Sequence, residues 1–227
     1  MEINIKNYKD EHEITVANGK IITLDTKYDN VLEDLVKKYK FTLIDNNNTF
    51  FFGENVKDEL EVFIKYYDKD LLLSLLEIFD LKESFMDRKI DSLSYTEKIY
   101  LNIIRSTLLA KQKIFYKNIF MYLDHNDKKK VTNYIEFLKN NDYFIIITSK
   151  NVDDLYKLGE QSIVFYDKYF KFDKTDKVYT GVQDLLDNNI DVPTLCLITY
   201  KAKTEKNIKL FYRKDVRDTI KDIYKHV

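Results

Sequence analysis

The sequence predicts an α/β fold with a mostly parallel sheet, a helical insert and a small helical appendage at its C-terminal end. Two observations support this. Short apolar segments alternate with segments of helical spacing up to about residue 173, and only helical patterns follow. The order strand, helix, strand, helix places helices on both faces of a parallel sheet. We therefore divide the chain into an α/β domain, residues 1–173, and an appendage, residues 174–227.

Hydrophobic spacing assigns the individual elements. Strands are short apolar runs beside turn-prone residues, predicted over 2–6, 19–24, 41–44, 113–123, 142–148, 162–166 and 169–172. Helices have apolar residues three and four positions apart, predicted over 30–39, 56–67, 69–80, 93–111, 127–140, 152–158, 181–187, 192–203 and 213–227. The insert occupies about 56–92, and the sequence Asp-Asn-Asn-Asn at 45–48 predicts a turn. Ser94 and Glu97 have the spacing of a capping box.

Composition restricts the class of protein. The chain has 227 residues, with 37 basic and 38 acidic side chains and a formal net charge of -1. Nucleic-acid binders usually carry a basic excess, so no nucleic-acid partner is expected. No apolar run approaches the roughly 20 residues that span a bilayer, and the N-terminus lacks an apolar signal core. The single cysteine, Cys196, is typical of a reduced compartment. We expect a cytoplasmic protein without direct membrane insertion, which reaches the inner face of the membrane through a partner.

The glycine content excludes the common phosphate-binding loops. The chain has four glycines, Gly19, Gly53, Gly159 and Gly181, and no two are close together. Such loops need closely spaced glycines, because several backbone N–H groups must converge on a phosphate without Cβ clashes. The sequence therefore contains neither G-x-x-x-x-G-K-[ST] nor G-x-G-x-x-G.

Five segments resemble, in order, parts of the ABC transporter ATPases, in particular the ATPase subunits of energy-coupling-factor vitamin and metal transporters. They are the segment after the glutamine loop (50–60), the signature motif and its helix (93–109), the D-loop and following helix (123–131), the strand and helix around the switch histidine (144–155) and the C-terminal appendage (178–193). The resemblance implies a truncated P-loop NTPase-type fold, in which ATP binds between two subunits. It also implies that most of the antiparallel β-subdomain that cradles adenine is missing.

The positions that carry catalysis in that family differ here. The phosphate loop is replaced by residues 25–33, which hold acids and no glycine. The glutamine-loop position matches Asp45, and the Walker B carboxylates match Lys117 and Asn118. The switch histidine matches Lys150. Because Mg²⁺ coordination and water activation need carboxylates, the resemblance implies degenerate positions with no catalytic residue and no metal site.

The half of the site that faces a second subunit is also changed. Ser94 of the signature motif and Asp124 of the D-loop are retained. Tyr95 and Thr96 replace the signature glycines, whose absence of a side chain lets backbone N–H groups approach the γ-phosphate. Ser94 and Asp124 are therefore vestigial, and no cofactor is expected. ATP with Mg²⁺ is the cofactor only if these positions have been misassigned.

Three functions remain open. The first is a non-catalytic, protein-binding subunit that pairs with an active ATPase paralogue or a transporter membrane subunit, or with itself as a homodimer. The second is a free-standing structural or regulatory protein that kept the fold. The third is a divergent ATPase of an ABC or energy-coupling-factor transporter. The degenerate positions favour a pseudo-ATPase over an enzyme, and the insert at 56–92 is the expected docking site for a membrane partner.

Overall fold

The computed structural model describes residues 2–6, 11–45, 49–118 and 120–225. Its strands are β1 (Glu2–Lys6), β2 (Glu11–Thr15), β3 (Ile21–Thr26), β4 (Thr42–Asp45), β5 (Lys113–Lys117), β6 (Phe144–Thr148), β7 (Gln161–Tyr166) and β8 (Tyr169–Lys174). Its α-helices are α1 (Asp29–Tyr39), α2 (Val56–Phe63), α3 (Lys69–Ile78), α4 (Tyr95–Leu109), α5 (His125–Asn140), α6 (Val152–Leu158), α7 (Thr175–Tyr179), α8 (Val182–Asp187), α9 (Thr194–Lys206) and α10 (Val216–Tyr224). Two 3₁₀ turns, Glu83–Asp87 and Ile90–Ser92, lead into α4.

The main sheet has six strands in the order β4-β5-β6-β3-β7-β8. The first five are parallel, and β8 returns antiparallel to β7 as the predicted closing hairpin. Strands β1 and β2 form a separate antiparallel pair. The five parallel strands place their carboxyl ends along one edge of the sheet, which is where open α/β sheets bind ligands.

The central strands are apolar on both sides because helices cover both faces of the sheet. Along β6 the side chains alternate: Ile145 and Ile147 pack with α3, α4 and α5, whereas Phe144 and Ile146 pack with α1 and the β1–β2 pair. A third cluster includes Tyr179, Leu185 and Cys196, and packs α7, α8 and α9 against α6 and β7. The C-terminal helices are therefore anchored to the sheet through buried side chains.

The helical insert is attached to α4 by a buried ion pair. Glu59 of α2 is fully buried, and its carboxylate pairs with the guanidinium of Arg105 on α4. The other carboxylate oxygen accepts hydrogen bonds from the backbone N–H groups of Phe52 and Gly53, at 2.6 and 2.8 Å. A Cβ on Gly53 would lie 2.3 Å from the backbone nitrogen of Glu59, so only glycine allows this close approach.

Most predicted elements are confirmed, and several bounds change. The predicted helix 56–67 ends at Phe63, because Ile64 has extended backbone. The sequence analysis does not find β2 or α7, which are only five residues long. In β2, Ile14 is the one buried side chain, so the strand shows no apolar run. Residues 46–48 of the predicted turn lie outside the described residues.

The predicted strand 113–123 is wrong beyond Lys117. Its apolar pattern continues to Leu123, but Asn118 has a left-handed backbone with φ of 55°, which ends the strand. The Asn118 backbone N–H donates to the Thr148 carbonyl at 2.9 Å and ties the turn to the end of β6. Phe120 and Leu123 then pack into the core from the turn.

We expect Arg105→Met to lower the free energy of unfolding by about 3–5 kcal/mol, because it leaves the Glu59 carboxylate buried without its partner. The matched control is Lys57→Met, which breaks an exposed ion pair between Lys57 and Glu61 on α2, the helix that carries Glu59. This variant should lose about 0.5 kcal/mol of unfolding free energy or less. Urea denaturation of both variants measures the difference. Equal, small losses would contradict a structural role for the buried pair.

Candidate functional site

A polar cleft of about 410 Å³ lies at the carboxyl edge of the parallel strands. All five parallel strands contribute residues at or just beyond their ends, since parallel strands finish on the same side of the sheet. The cleft brings together Asp45, Lys117, Asn118 and Lys150, the positions that the resemblance matched to the glutamine loop, the Walker B carboxylates and the switch histidine. The neighbouring lining residues are Asp25, Thr26, Lys27, Asp29, Leu32, Thr148, Ser149, Val152, Tyr166 and Asp191.

The connection between β3 and α1 has only two residues, Lys27 and Tyr28. Tyr28 is the N-cap of α1 and makes no side-chain capping bond. The Lys27 ammonium pairs with Asp167 at 2.8 Å, and the Tyr28 hydroxyl donates to the same carboxylate. A phosphate loop is longer, because its backbone N–H groups must surround a phosphate. This connection cannot form such a loop, and its one cation is engaged with β7–β8.

Asp25 places a buried carboxylate at the end of β3. It accepts hydrogen bonds from the hydroxyls of Tyr166, at 2.6 Å, and Tyr179, at 3.2 Å. Burial raises the pKa of Asp25 to about 6, the two tyrosine hydrogen bonds oppose the rise, and the charge of Asp191 adds to it. The carboxylate therefore joins β3 to β7 and α7, and Asp25 lines the cleft.

Lys117 and Asn118 end β5 and adopt structural roles. The Lys117 ammonium pairs with Asp29, in the first turn of α1, at 3.0 Å. The Asn118 side-chain oxygen accepts a hydrogen bond from the backbone N–H of Lys150 at 3.2 Å. Asp45 lies opposite Lys117 in the parallel register of β4 and β5. These contacts tie neighbouring strand ends to one another and to α1.

The cleft has mixed charge rather than a convergent set of cations. Three lysines and four aspartates line it. Lys27 and Lys117 each contact an aspartate, whereas the Lys150 side chain is exposed. Acids interspersed among the cations oppose the binding of a polyanion such as ATP. Among the described residues, no group of three or more His, Cys, Asp or Glu side chains is arranged to hold a metal ion.

Ser94 and Asp124 form a second group, outside the cleft. Ser94 caps α4, and its predicted capping box with Glu97 is confirmed. Asp124 caps α5 by accepting from the Asp127 backbone N–H at 2.8 Å. The exposed rings of Tyr95 and Tyr122 meet edge to face, with centroids 5.9 Å apart, and bring the two helix starts together. Both retained residues therefore have a capping role that accounts for their presence.

The contacts of Asp25 are not predicted from the sequence. The apolar pattern places Asp25 in the turn after a strand ending at Leu24, whereas β3 continues to Thr26 and buries the carboxyl group. The sequence held one indication of burial, since Asp25 is a single acidic residue directly after four residues of a predicted apolar strand. Such a residue needs partners, yet the tyrosines that supply them lie 141 and 154 residues further along the chain.

Comparison with known proteins finds similarity in structure alone. No protein-family model matches the sequence, and no curated protein matches it. CbiO1 from Clostridium perfringens, part of the ABC transporter complex CbiONQ, superposes with a TM-score of 0.63 at 11% identity, covering 87% of this chain and 98% of that one. The ATP-binding subunit of another ABC transporter gives 0.61 at 10% identity, over 79% and 90%. A dimeric, ADP- and Pi-bound ATP-binding cassette, MJ0796, gives 0.54 at 13% identity, over 77% and 96%.

The chain has the fold of ABC transporter ATP-binding subunits. This confirms the predicted mixed α/β architecture with its mostly parallel sheet. In the described part of the chain, the only antiparallel strands outside the main sheet are β1 and β2. Within the same residues, no helix is long and apolar enough to cross a bilayer.

The pKa of Asp25 predicts a pH dependence of stability. Because its folded pKa, about 6, lies above the unfolded value of 3.8, the stabilising contribution is fully present below about pH 4 and is lost as the pH rises through 6. Asp25→Asn removes this dependence. Relative to wild type, the variant should gain about 2 kcal/mol of unfolding free energy between pH 4 and pH 7. Urea denaturation across this range measures the difference, and parallel profiles for the two proteins would contradict the assignment.

Proposed function

We propose that this protein is a non-catalytic, ABC ATPase-like subunit that acts by binding other proteins. The observation that carries the proposal is the two-residue β3–α1 connection beside the buried Asp25 carboxylate. That arrangement offers a nucleotide neither a set of converging N–H groups nor unopposed positive charge. Without an ATP site, the fold can still act through its surfaces. One of these surfaces, described next, resembles a protein–protein interface.

The insert surface consists of exposed apolar side chains on α2 and the segments beside it. Phe50 and Phe52 are 74% and 72% exposed, and the remaining members are Val62, Phe63 and Tyr66. The rings of Phe52 and Phe63 lie 5.8 Å apart. Aromatic residues are enriched in the centres of protein interfaces, and a contiguous exposed apolar patch is unusual on a monomer.

The buried Glu59–Arg105 pair holds this surface in place. Glu59 binds the backbone N–H groups of Phe52 and Gly53, and Arg105 donates to the carbonyl of Phe50 at 2.9 Å. The guanidinium also lies over the rings of Phe51 and Phe63. The exposed aromatic residues are therefore preorganised, which lowers the entropy cost of binding a partner.

The similar structures indicate the class of partner. CbiO1 is part of the complex CbiONQ, and MJ0796 is a dimer in its ADP- and Pi-bound state. By analogy, the partner of this chain is an ATP-binding paralogue or a transporter membrane subunit, with a homodimer as the alternative assembly. On this proposal the protein is cytoplasmic and is held at the inner face of the membrane by its partner, and its contacts do not depend on ATP.

Site-specific photocrosslinking in cells tests the proposal. We expect p-benzoylphenylalanine at position 52 to capture an ABC-type membrane subunit or ATP-binding subunit in irradiated cells. In lysates, Mg²⁺-ATP added before irradiation should not change the crosslinking yield. The matched control is position 186, because Leu186 is similarly apolar and 41% exposed but belongs to α8. Mass spectrometry identifies the products. Capture from neither position, or the same products from both, would favour the free-standing protein.

A further inference from the structure

Helix α10 exposes the side that an amphipathic helix usually buries. Val216, Ile220, Ile223 and Tyr224 are between 37% and 76% exposed. At 3.6 residues per turn, these four positions form one stripe over about 100° of the helix circumference. The side that packs against the protein is polar: Thr219 and Asp222 are almost completely buried. The helix is therefore inverted relative to an ordinary surface helix.

A basic strip borders the apolar stripe. Arg217, Lys221 and Lys225 follow it over about the next 100° of the circumference, and their side chains are 72–82% exposed. Each of these cations forms an ion pair with an aspartate of the same region: Arg217 with Asp215, Lys221 with Asp218 and Lys225 with Asp222. Such exposed pairs are weak, and the basic excess of the region comes from the preceding segment, residues 206–214. Residues 206–225 contain seven basic and three acidic side chains, whereas the whole chain has a net charge of -1.

The attachment of α10 keeps this arrangement in place. The Arg213 guanidinium pairs with the buried Asp222 carboxylate at 2.9 Å. The Arg213 guanidinium also lies over the ring of Phe211, 5.2 Å from the ring centroid, and this ring is 66% exposed. The adjacent Lys214 ammonium attaches the segment to the rest of the protein through the Gly159 carbonyl, at 2.8 Å, and through Asp176, at 3.5 Å. Arg213 holds a further exposed aromatic ring, that of Phe211, close to the helix.

We propose that α10 binds directly to an anionic phospholipid surface. An exposed apolar stripe bordered by lysine and arginine is the pattern of helices that lie in the membrane interface, with the apolar side chains in the acyl boundary and the cations among the headgroups. Such a helix lies on the membrane without crossing it. The charge favours lipid over a second copy of this chain, because a symmetric contact would bring together two copies of a region, residues 206–225, that has seven basic and three acidic side chains.

This inference goes beyond the expectation that the protein reaches a membrane only through a partner. It rests on the contacts and charges of α10 alone and does not require the proposed function to be correct. A protein partner at the insert surface and a lipid contact at α10 would be separate attachments. Two weak attachments of this kind reinforce one another, because the first raises the local concentration for the second.

Vesicle co-sedimentation of the purified protein tests the proposal. We expect binding to phosphatidylcholine vesicles that contain about 30% phosphatidylglycerol, weak or no binding to phosphatidylcholine alone, and loss of binding as salt is raised toward about 1 M. Light scattering of the free protein runs in parallel. Absence of binding to anionic vesicles, or equal binding to neutral ones, would overturn the proposal. So would a concentration-dependent dimer that does not bind vesicles, since a second copy would then cover the stripe.

Variants assign the binding to α10. Ile220→Asp should weaken partitioning into anionic vesicles about tenfold or more, because it removes an isoleucine from the apolar stripe that enters the membrane interface. The control Leu73→Asp changes an equally exposed apolar residue on α3 and should bind like wild type. The double variant Lys221→Gln and Lys225→Gln leaves the stripe intact and should also lose about tenfold. Wild-type partitioning by both α10 variants, with unchanged melting temperatures, would contradict the assignment.

Discussion

The two-residue connection between β3 and α1 constrains everything at the carboxyl edge of the sheet. Because α1 begins so soon after the strand, the backbone cannot open into a loop, and no nest of N–H groups forms there. Lys27 and Tyr28 in the connection instead contact Asp167, in the turn between β7 and β8. These contacts join the β3–α1 connection to the β7–β8 turn. In this chain the β3–α1 turn is a structural joint.

Intramolecular contacts also join the neighbouring strand ends. Lys117 pairs with Asp29, Asn118 binds the backbone of Lys150, and Asp25 is held by two tyrosines. Each of these residues has an intramolecular contact in this structure. The buried carboxylate of Asp25 costs desolvation free energy, as its raised pKa indicates. The two phenolic hydrogen bonds offset part of that cost and join the sheet to the C-terminal helices.

How much the sequence could predict depends on whether the signal was local. The apolar run of β6 and the capping box of α4 are local patterns, and both are confirmed. Asp45, Lys117, Asn118 and Lys150 were singled out by a resemblance read in chain order. They meet in one cleft because parallel strands end on the same side of the sheet. Strand β2 was missed because its pairing with β1 exists only in the folded chain. The partners of Asp25 were missed for the same reason. For α10, periodicity finds the helix but not that its polar side, with Thr219 and Asp222, is the buried one, since burial is decided in the folded chain.

The central claim is that the cleft does not bind nucleotide, and isothermal titration of Mg²⁺-ATP into the purified protein tests it most directly. The account predicts no heat of binding at nucleotide concentrations up to about 1 mM and no change in melting temperature. Saturable binding tighter than about 1 mM, with a matching rise in melting temperature, would contradict it. The protein would then hold ATP without a glycine-rich loop, and the cleft would be a nucleotide site of a different construction.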